Sequence, residues 1–197
     1  MTSSAYRRLR SIWAADGVVV LDGGVGSELE RIGFPRNRNV GDLWGTVALY
    51  EAPDLAREVG SRYVRAGADV ITTHTWRIDG IPAAERAGLV DPTGGGWREK
   101  SRLAVELARE AIAREARDAP PAVAFSVWTE PAETAFLEDL AEAIVDAEPD
   151  LILAETTETI ADAEEALQWR DVEGARIIGG CCGTTPEHIA AVVAVLA

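Results

Sequence analysis

Apolar runs that end in polar residues alternate along this chain with longer amphipathic stretches, and the alternation predicts βα units. Gly17-Val18-Val19-Val20-Leu21 runs into Asp22-Gly23-Gly24, and Ala68-Asp69-Val70-Ile71 runs into Thr72-Thr73-His74-Thr75-Trp76. Ala122 to Trp128, Asp150 to Thr156 and Ala175 to Ile178 repeat the pattern. None of the runs has a regular polar alternation, which suits strands buried on both faces of a parallel sheet. Between them, residues 51–66 place Leu55, Val59, Tyr63 and Val64 at helical spacing, with Pro53 near the start and Gly67 just past the end. Residues 97–118 and 133–147 predict two more helices, the second with Phe136, Leu137, Leu140, Ile144 and Val145 inward. Shorter helices are expected at 160–169, from Pro186 onward, and at 5–15, where Leu9, Ile12 and Trp13 suit a helix lying across one end of the fold.

The class that follows is α/β, a parallel TIM-barrel-like fold with its chemistry on the face where the strands end. Five strands are legible, whereas a closed (β/α)₈ barrel has eight in about 250 residues. The fold is therefore expected to be incomplete, with about five βα units in one domain spanning 1–197. Such a sheet has open edges, and association with a second copy, as a dimer, is the simplest way to cover them.

Composition narrows the function classes. The chain has 197 residues, 47% hydrophobic and 26% charged, with a formal charge of −14. That charge argues against nucleic acid or an anionic membrane as partner. No apolar run is long enough to span a bilayer, and no basic-then-apolar leader opens the chain, so a cytoplasmic protein with reduced thiols is expected. Two histidines and two cysteines make a small inventory of soft metal ligands.

Both cysteines lie in Gly179-Gly180-Cys181-Cys182-Gly183-Thr184-Thr185-Pro186-Glu187-His188. An apolar strand stops there, and a helix starts at Thr185-Pro186, with Thr184 and Glu187 at capping-box spacing. A disulfide between adjacent cysteines strains the backbone. The pair is thus either two small buried hydrophobes or two thiolates facing one soft metal ion. The flanking glycines, by clearing side chains from around the sulfurs, favour the metal. Asp22 and Glu155 each close an apolar strand, where α/β enzymes place functional groups, although turn chemistry and helix capping suit the same positions. His74 reads either as a hydrogen-bonded structural residue or as a ligand, and it faces the site only if the even-numbered residues of its strand point inward.

Gly-Gly-Cys-Cys-Gly-Thr-Thr-Pro-Glu-His-Ile, from Gly179, resembles the closing motif of the homocysteine S-methyltransferase family. Leu-Asp-Gly-Gly-Val-Gly-Ser-Glu-Leu-Glu, residues 21–30, is similar to the family's opening motif. Thr72 to Trp76 resembles its second strand, usually Thr-Asn-Thr and an aromatic residue, with His74 in place of Asn. The Glu155-Thr156 strand end also matches. The resemblance implies that Cys181 and Cys182 are zinc ligands and that zinc activates the homocysteine thiol. It further implies a substrate pocket containing Asp22, Gly23, Gly24, Trp76, Glu155 and Thr156. It covers the family's first four units and its last, and no residue here matches the strand that carries the third zinc cysteine. His74 is the candidate substitute, since imidazole is an ordinary zinc ligand. The function expected is zinc-dependent methyl transfer to homocysteine, giving methionine. S-methylmethionine, S-adenosylmethionine, betaine and a methylated folate all serve as donors within the family. The alternative is a catalytically inactive shortened paralogue that acts as a binding or partner subunit.

Overall fold

The computed structural model describes residues 3–35, 43–90, 96–128, 134–155 and 177–196. In chain order the elements are α1 (Ser4–Ala14), β1 (Val19–Val20), α2 (Val25–Arg31), α3 (Trp44–Glu51), α4 (Pro53–Ala66) and β2 (Val70–Thr72). After a 3₁₀ turn at Ile78–Gly80 come α5 (Ile81–Arg86), α6 (Trp97–Glu115), β3 (Ala122–Trp128), α7 (Thr134–Ala147), β4 (Leu151–Glu155), β5 (Ile177–Ile178) and α8 (Pro186–Leu196). The helix expected at 160–169 lies outside the described residues. α2, α3 and α5 have no counterpart in the sequence reading; α2 and α5 are short, and α3 is apolar on all sides, so none shows one greasy stripe.

Helix α4 shows how sequence sets an element. Pro53 opens it, Asp54 lies in its first turn and Arg65 in its last, and Gly67 ends it with φ +103°, a left-handed conformation that disfavours side chains. Its apolar stripe of Val59, Tyr63 and Val64 is fully buried, each side chain contributing about 1.5–3 kcal/mol.

All the strand pairs are parallel. β1 pairs β5 with Val19 opposite Ile177, β2 pairs β3 with Val70 opposite Ala122, and β3 pairs β4 from Ala124 opposite Leu151 to Trp128 opposite Glu155. The two sheets join where Leu21 bridges Val70, and the Asp69 N–H donates to the Val20 carbonyl at 2.7 Å. The order β5-β1-β2-β3-β4 is that of consecutive strands in a (β/α)₈ barrel, and no strand joins β4 to β5 among the described residues. The protein thus has the parallel, incomplete TIM-barrel-like fold expected from its sequence.

The sheet has two different faces. Ile71, Val123 and Phe125 belong to the main core with α4 and α6. Val19, Val70, Ala122 and Ala124 form a smaller cluster on the other face, flanked by Leu21, Leu151 and Leu153 and closed by Leu9, Ala5 and Ile12 of α1. Helix α1 therefore plugs the inner face, held by a hydrogen bond from Arg8 to Asp69, whose second oxygen accepts the Val20 N–H at 3.0 Å.

One expected core position fails. Leu140 and Ile144 of α7 are buried, but Val145 is 73% exposed. One residue past Ile144 is a rotation of about 100°, which carries Val145 off the stripe. At the β4 edge, Ile152 is 58% exposed although its register partner Phe125 is fully buried.

Candidate thiol and metal site

Adjacent parallel strands place the chain's two motif turns side by side. β1 delivers Asp22-Gly23-Gly24, β5 delivers Gly179 to Thr184, and the turns are joined backbone to backbone. The Gly180 N–H donates to the Asp22 carbonyl at 3.1 Å, and the Gly24 N–H donates to the Thr184 carbonyl at 3.0 Å. A Cβ on Gly24 would lie 2.5 Å from the Cys181 carbonyl oxygen, and one on Gly180 would lie 2.1 Å from the Thr184 side chain. A Cβ on Gly179 would lie 2.4 Å from Leu21, so the space at Gly179 is filled by the neighbouring strand end and that at Gly180 by Thr184 of its own turn, which corrects the expectation that these two glycines keep space open around the sulfurs.

The sulfurs lie on the outside of this joint. Cys181 is half-buried and Cys182 exposed, with Sγ atoms 3.9 Å apart and so not joined in a disulfide. They are not core hydrophobes. Two thiolates at about 2.3 Å from one tetrahedral zinc lie about 3.8 Å apart, so the pair has the span the ion requires. Among the described residues, no group of three or more His, Cys, Asp and Glu side chains is close enough to hold a metal ion.

The expected cap is shifted by one residue. Thr184 is buried within the turn, where its N–H donates to the Cys181 carbonyl at 2.9 Å. Thr185 precedes α8, and His188, three residues on, reaches back so that its Nδ1 accepts the Thr185 N–H at 3.0 Å. His188 thus takes the part expected of Glu187 in the capping box. Glu187 instead lies 3.8 Å from Arg31, and a hydrogen bond with Thr185 holds its carboxyl below the ordinary carboxylate range.

Asp22 is 1% exposed. Its Oδ2 accepts the Thr72 N–H at 2.7 Å, and the Thr72 hydroxyl lies 3.0 Å from both oxygens. Thr72 shares the inner face with Val70, so the even-numbered residues of β2 do point inward. His74, two residues further and past the end of the strand, is buried, and its Nε2 is buried without a hydrogen-bond partner. Burial pushes its pKa down to about 3, so it is neutral. The structure does not unite His74 with the two cysteines in a three-ligand cluster. Trp76 is half-buried with the Arg77 guanidinium 5.8 Å from its ring. The backbone of Glu155 closes β4 opposite Trp128, while its side chain and all of Thr156 lie outside the described residues.

Three supporting residues escape sequence reasoning. Ser27 donates to the Gly24 carbonyl at 2.9 Å and accepts the Gly183 N–H at 2.9 Å. The Tyr63 hydroxyl donates to the Thr184 carbonyl at 2.7 Å and lies 3.3 Å from that of Gly24. Glu28, with no exposed side-chain surface, pairs with Arg31 at 2.6 Å and Arg62 at 3.2 Å, linking α2 to α4. The visible signal for Ser27 was its place in the Asp-Gly-Gly-Val-Gly-Ser stretch; Tyr63 looked like one more apolar position on a helix.

Compared with known proteins, the sequence matches the homocysteine S-methyltransferase family over residues 19–173 and 157–196. The chain belongs to that family. Homocysteine S-methyltransferase 1 of Zea mays is 34% identical over 97 residues, 49% of this chain and 28% of that protein. Homocysteine S-methyltransferase of Escherichia coli (strain K12) is 36% identical over 104 residues, 52% of this chain and 31% of that one. Selenocysteine methyltransferase of Astragalus bisulcatus is 35% identical over 97 residues. The chain spans less than a third of the length of these curated relatives. In fold it resembles the metallated form of the homocysteine methyltransferase MmuM from Escherichia coli, with a TM-score of 0.70 at 22% identity. That alignment covers 95% of this chain and 99% of the other.

Proposed function

We propose that this chain is a zinc-dependent methyltransferase that passes a methyl group to the thiol of homocysteine, giving methionine. The observation that carries the reading is the 3.9 Å separation of Cys181 and Cys182 on a turn fixed against the Asp22 turn. Zinc held by this pair supplies Lewis acidity that keeps a substrate thiol ionised at neutral pH. The protein's own part is to orient the amino acid. The Asp22 carboxylate is aimed by Thr72 and is the acceptor placed to meet a substrate ammonium group. Glu155, at the end of β4, and Thr156 after it in sequence would share the task of holding the amino acid, with Trp76 and the Gly23-Gly24 turn lining the pocket. The third zinc ligand comes from His74 after local rearrangement or from outside the described residues. The methyl donor is a second small molecule, and the chain works in the cytoplasm; among the described residues, no helix is long and apolar enough to cross a membrane. The exposed Ile152 on β4, which has no further strand beside it among the described residues, supports pairing with a second copy.

The alternative, a partner subunit without catalysis of its own, is favoured by the lack of a three-ligand group among the described residues. One experiment separates the two. Elemental analysis of wild type and of the Cys181→Ser/Cys182→Ser variant should give about one zinc per chain and none, respectively, with methyl transfer to homocysteine in the wild type alone. Zinc bound without transfer from any donor class supports the subunit reading, and a wild type that takes up no zinc under reducing conditions overturns the proposal.

A further inference from the structure

Two side-chain hydrogen bonds to the cysteine turn come from residues with no role in binding. Tyr63, fully buried on α4, donates its hydroxyl proton to the Thr184 carbonyl, which also accepts the Gly24 N–H. Ser27, on α2, accepts the N–H of Gly183, the residue next to Cys182, and donates to the Gly24 carbonyl. Each hydroxyl thus touches both turns at once. Neither contact is needed to form the helix that carries it: Tyr63 is anchored by its ring in the core, and Ser27 lies in the first turn of α2.

The geometry points to Tyr63 and Ser27 as positioning residues for the thiol pair: they clamp the Cys181-Cys182 turn to the Asp22 turn and so set where the sulfurs stand. This rests on the metal-site reading given above. The turn between Gly180 and Thr184 includes Gly183 at φ +83°, with Cys181 half-buried and Cys182 exposed. A dithiol that must present two sulfurs at a fixed spacing to one ion needs the backbone of its turn held in place, and partners that orient the ligands from behind strongly affect metal affinity. The hydroxyls supply that restraint through the backbone, by fixing the carbonyl of Thr184 and the amide of Gly183 on either side of the same peptide link.

The test compares Tyr63→Phe, Ser27→Ala, their double variant and the rescue Ser27→Thr with wild type. Two readouts are taken on the full chain: the alkylation rate of the reduced cysteines by iodoacetamide without metal, and cobalt(II) affinity with the thiolate-to-cobalt absorption bands. Circular dichroism and the thermal midpoint check the fold. Each single variant should keep its helical spectrum, alkylate several-fold faster, and bind cobalt roughly three- to tenfold more weakly, the size of one neutral hydrogen bond. The double variant should lose more and show shifted bands, and Ser27→Thr should restore wild-type behaviour. Unchanged alkylation and unchanged cobalt binding in the double variant, with the fold intact, would overturn the clamp. If wild type binds no cobalt but the variants still alkylate faster, the clamp stands and the metal reading fails.

Discussion

Acid should destabilise the metal-free chain through one side chain, His74. Its imidazole is buried, its Nε2 has no partner, and burial pushes the pKa from 6.5 down to about 3. The unfolded chain takes up the proton near 6.5, so between about 3 and 6.5 the unfolded state binds more protons than the folded one. Stability is therefore complete above 6.5 and falls as the pH drops below it. The slope approaches about 1.4 kcal/mol per pH unit, and going from pH 7.5 to 5 costs about 2 kcal/mol. For a chain of this size that corresponds to a drop in Tm of roughly 4–8 °C. The assay is urea unfolding of wild type and His74→Asn at both pH values, with equal m-values as the check on two-state behaviour. The variant should lack this component, so that its loss between the two pH values is smaller by about 2 kcal/mol. Parallel losses in the two proteins would refute the reasoning, because the imidazole would then be charged or hydrated in the folded chain.

Two further outcomes test the packing. Gly24→Ala places a Cβ 2.5 Å from the Cys181 carbonyl at an ordinary φ of −64°, so it should cost about 1–3 kcal/mol by overpacking and also speed cysteine alkylation. Gly33→Ala, where φ is +104° and the space is open, should destabilise by backbone strain alone and leave alkylation unchanged. If the β4 edge pairs with a second copy, light scattering should give a dimer mass at micromolar concentration and Ile152→Lys should give a monomer; a wild-type monomer mass would dismiss the pairing.

The strands and the longer helices were legible because burial on both faces of a parallel sheet leaves uninterrupted apolar runs, and Pro53 and Gly67 mark a helix by backbone chemistry alone. The neighbouring placement of the Asp22 and Cys181 turns was legible only through the family resemblance, since nothing local says that β1 and β5 are adjacent. Ser27 and Tyr63 were hidden for the same reason: their hydroxyls matter because of carbonyls and amides that sequence distance separates from them. The shift of the cap from Thr184 to Thr185 turned on which threonine the neighbouring turn buries, a tertiary fact. Val145 shows the limit of a periodic pattern, which marks a stripe but not its width.

The joint between β1 and β5 also fixes when the site can exist. Gly183 and Ser27 are 156 positions apart, and the hydrogen bond between them forms across that whole separation. A ribosome releases the Asp22 turn well before the thiols, so during synthesis the first strand waits for its β5 partner while the intervening units fold. Closing so large a loop is entropically costly and slow, and the exposed edge is open to wrong partners until it happens. The pair of sulfurs therefore reaches its working position only once that long-range joint has closed, which makes thiol reactivity a sensitive clock for its formation.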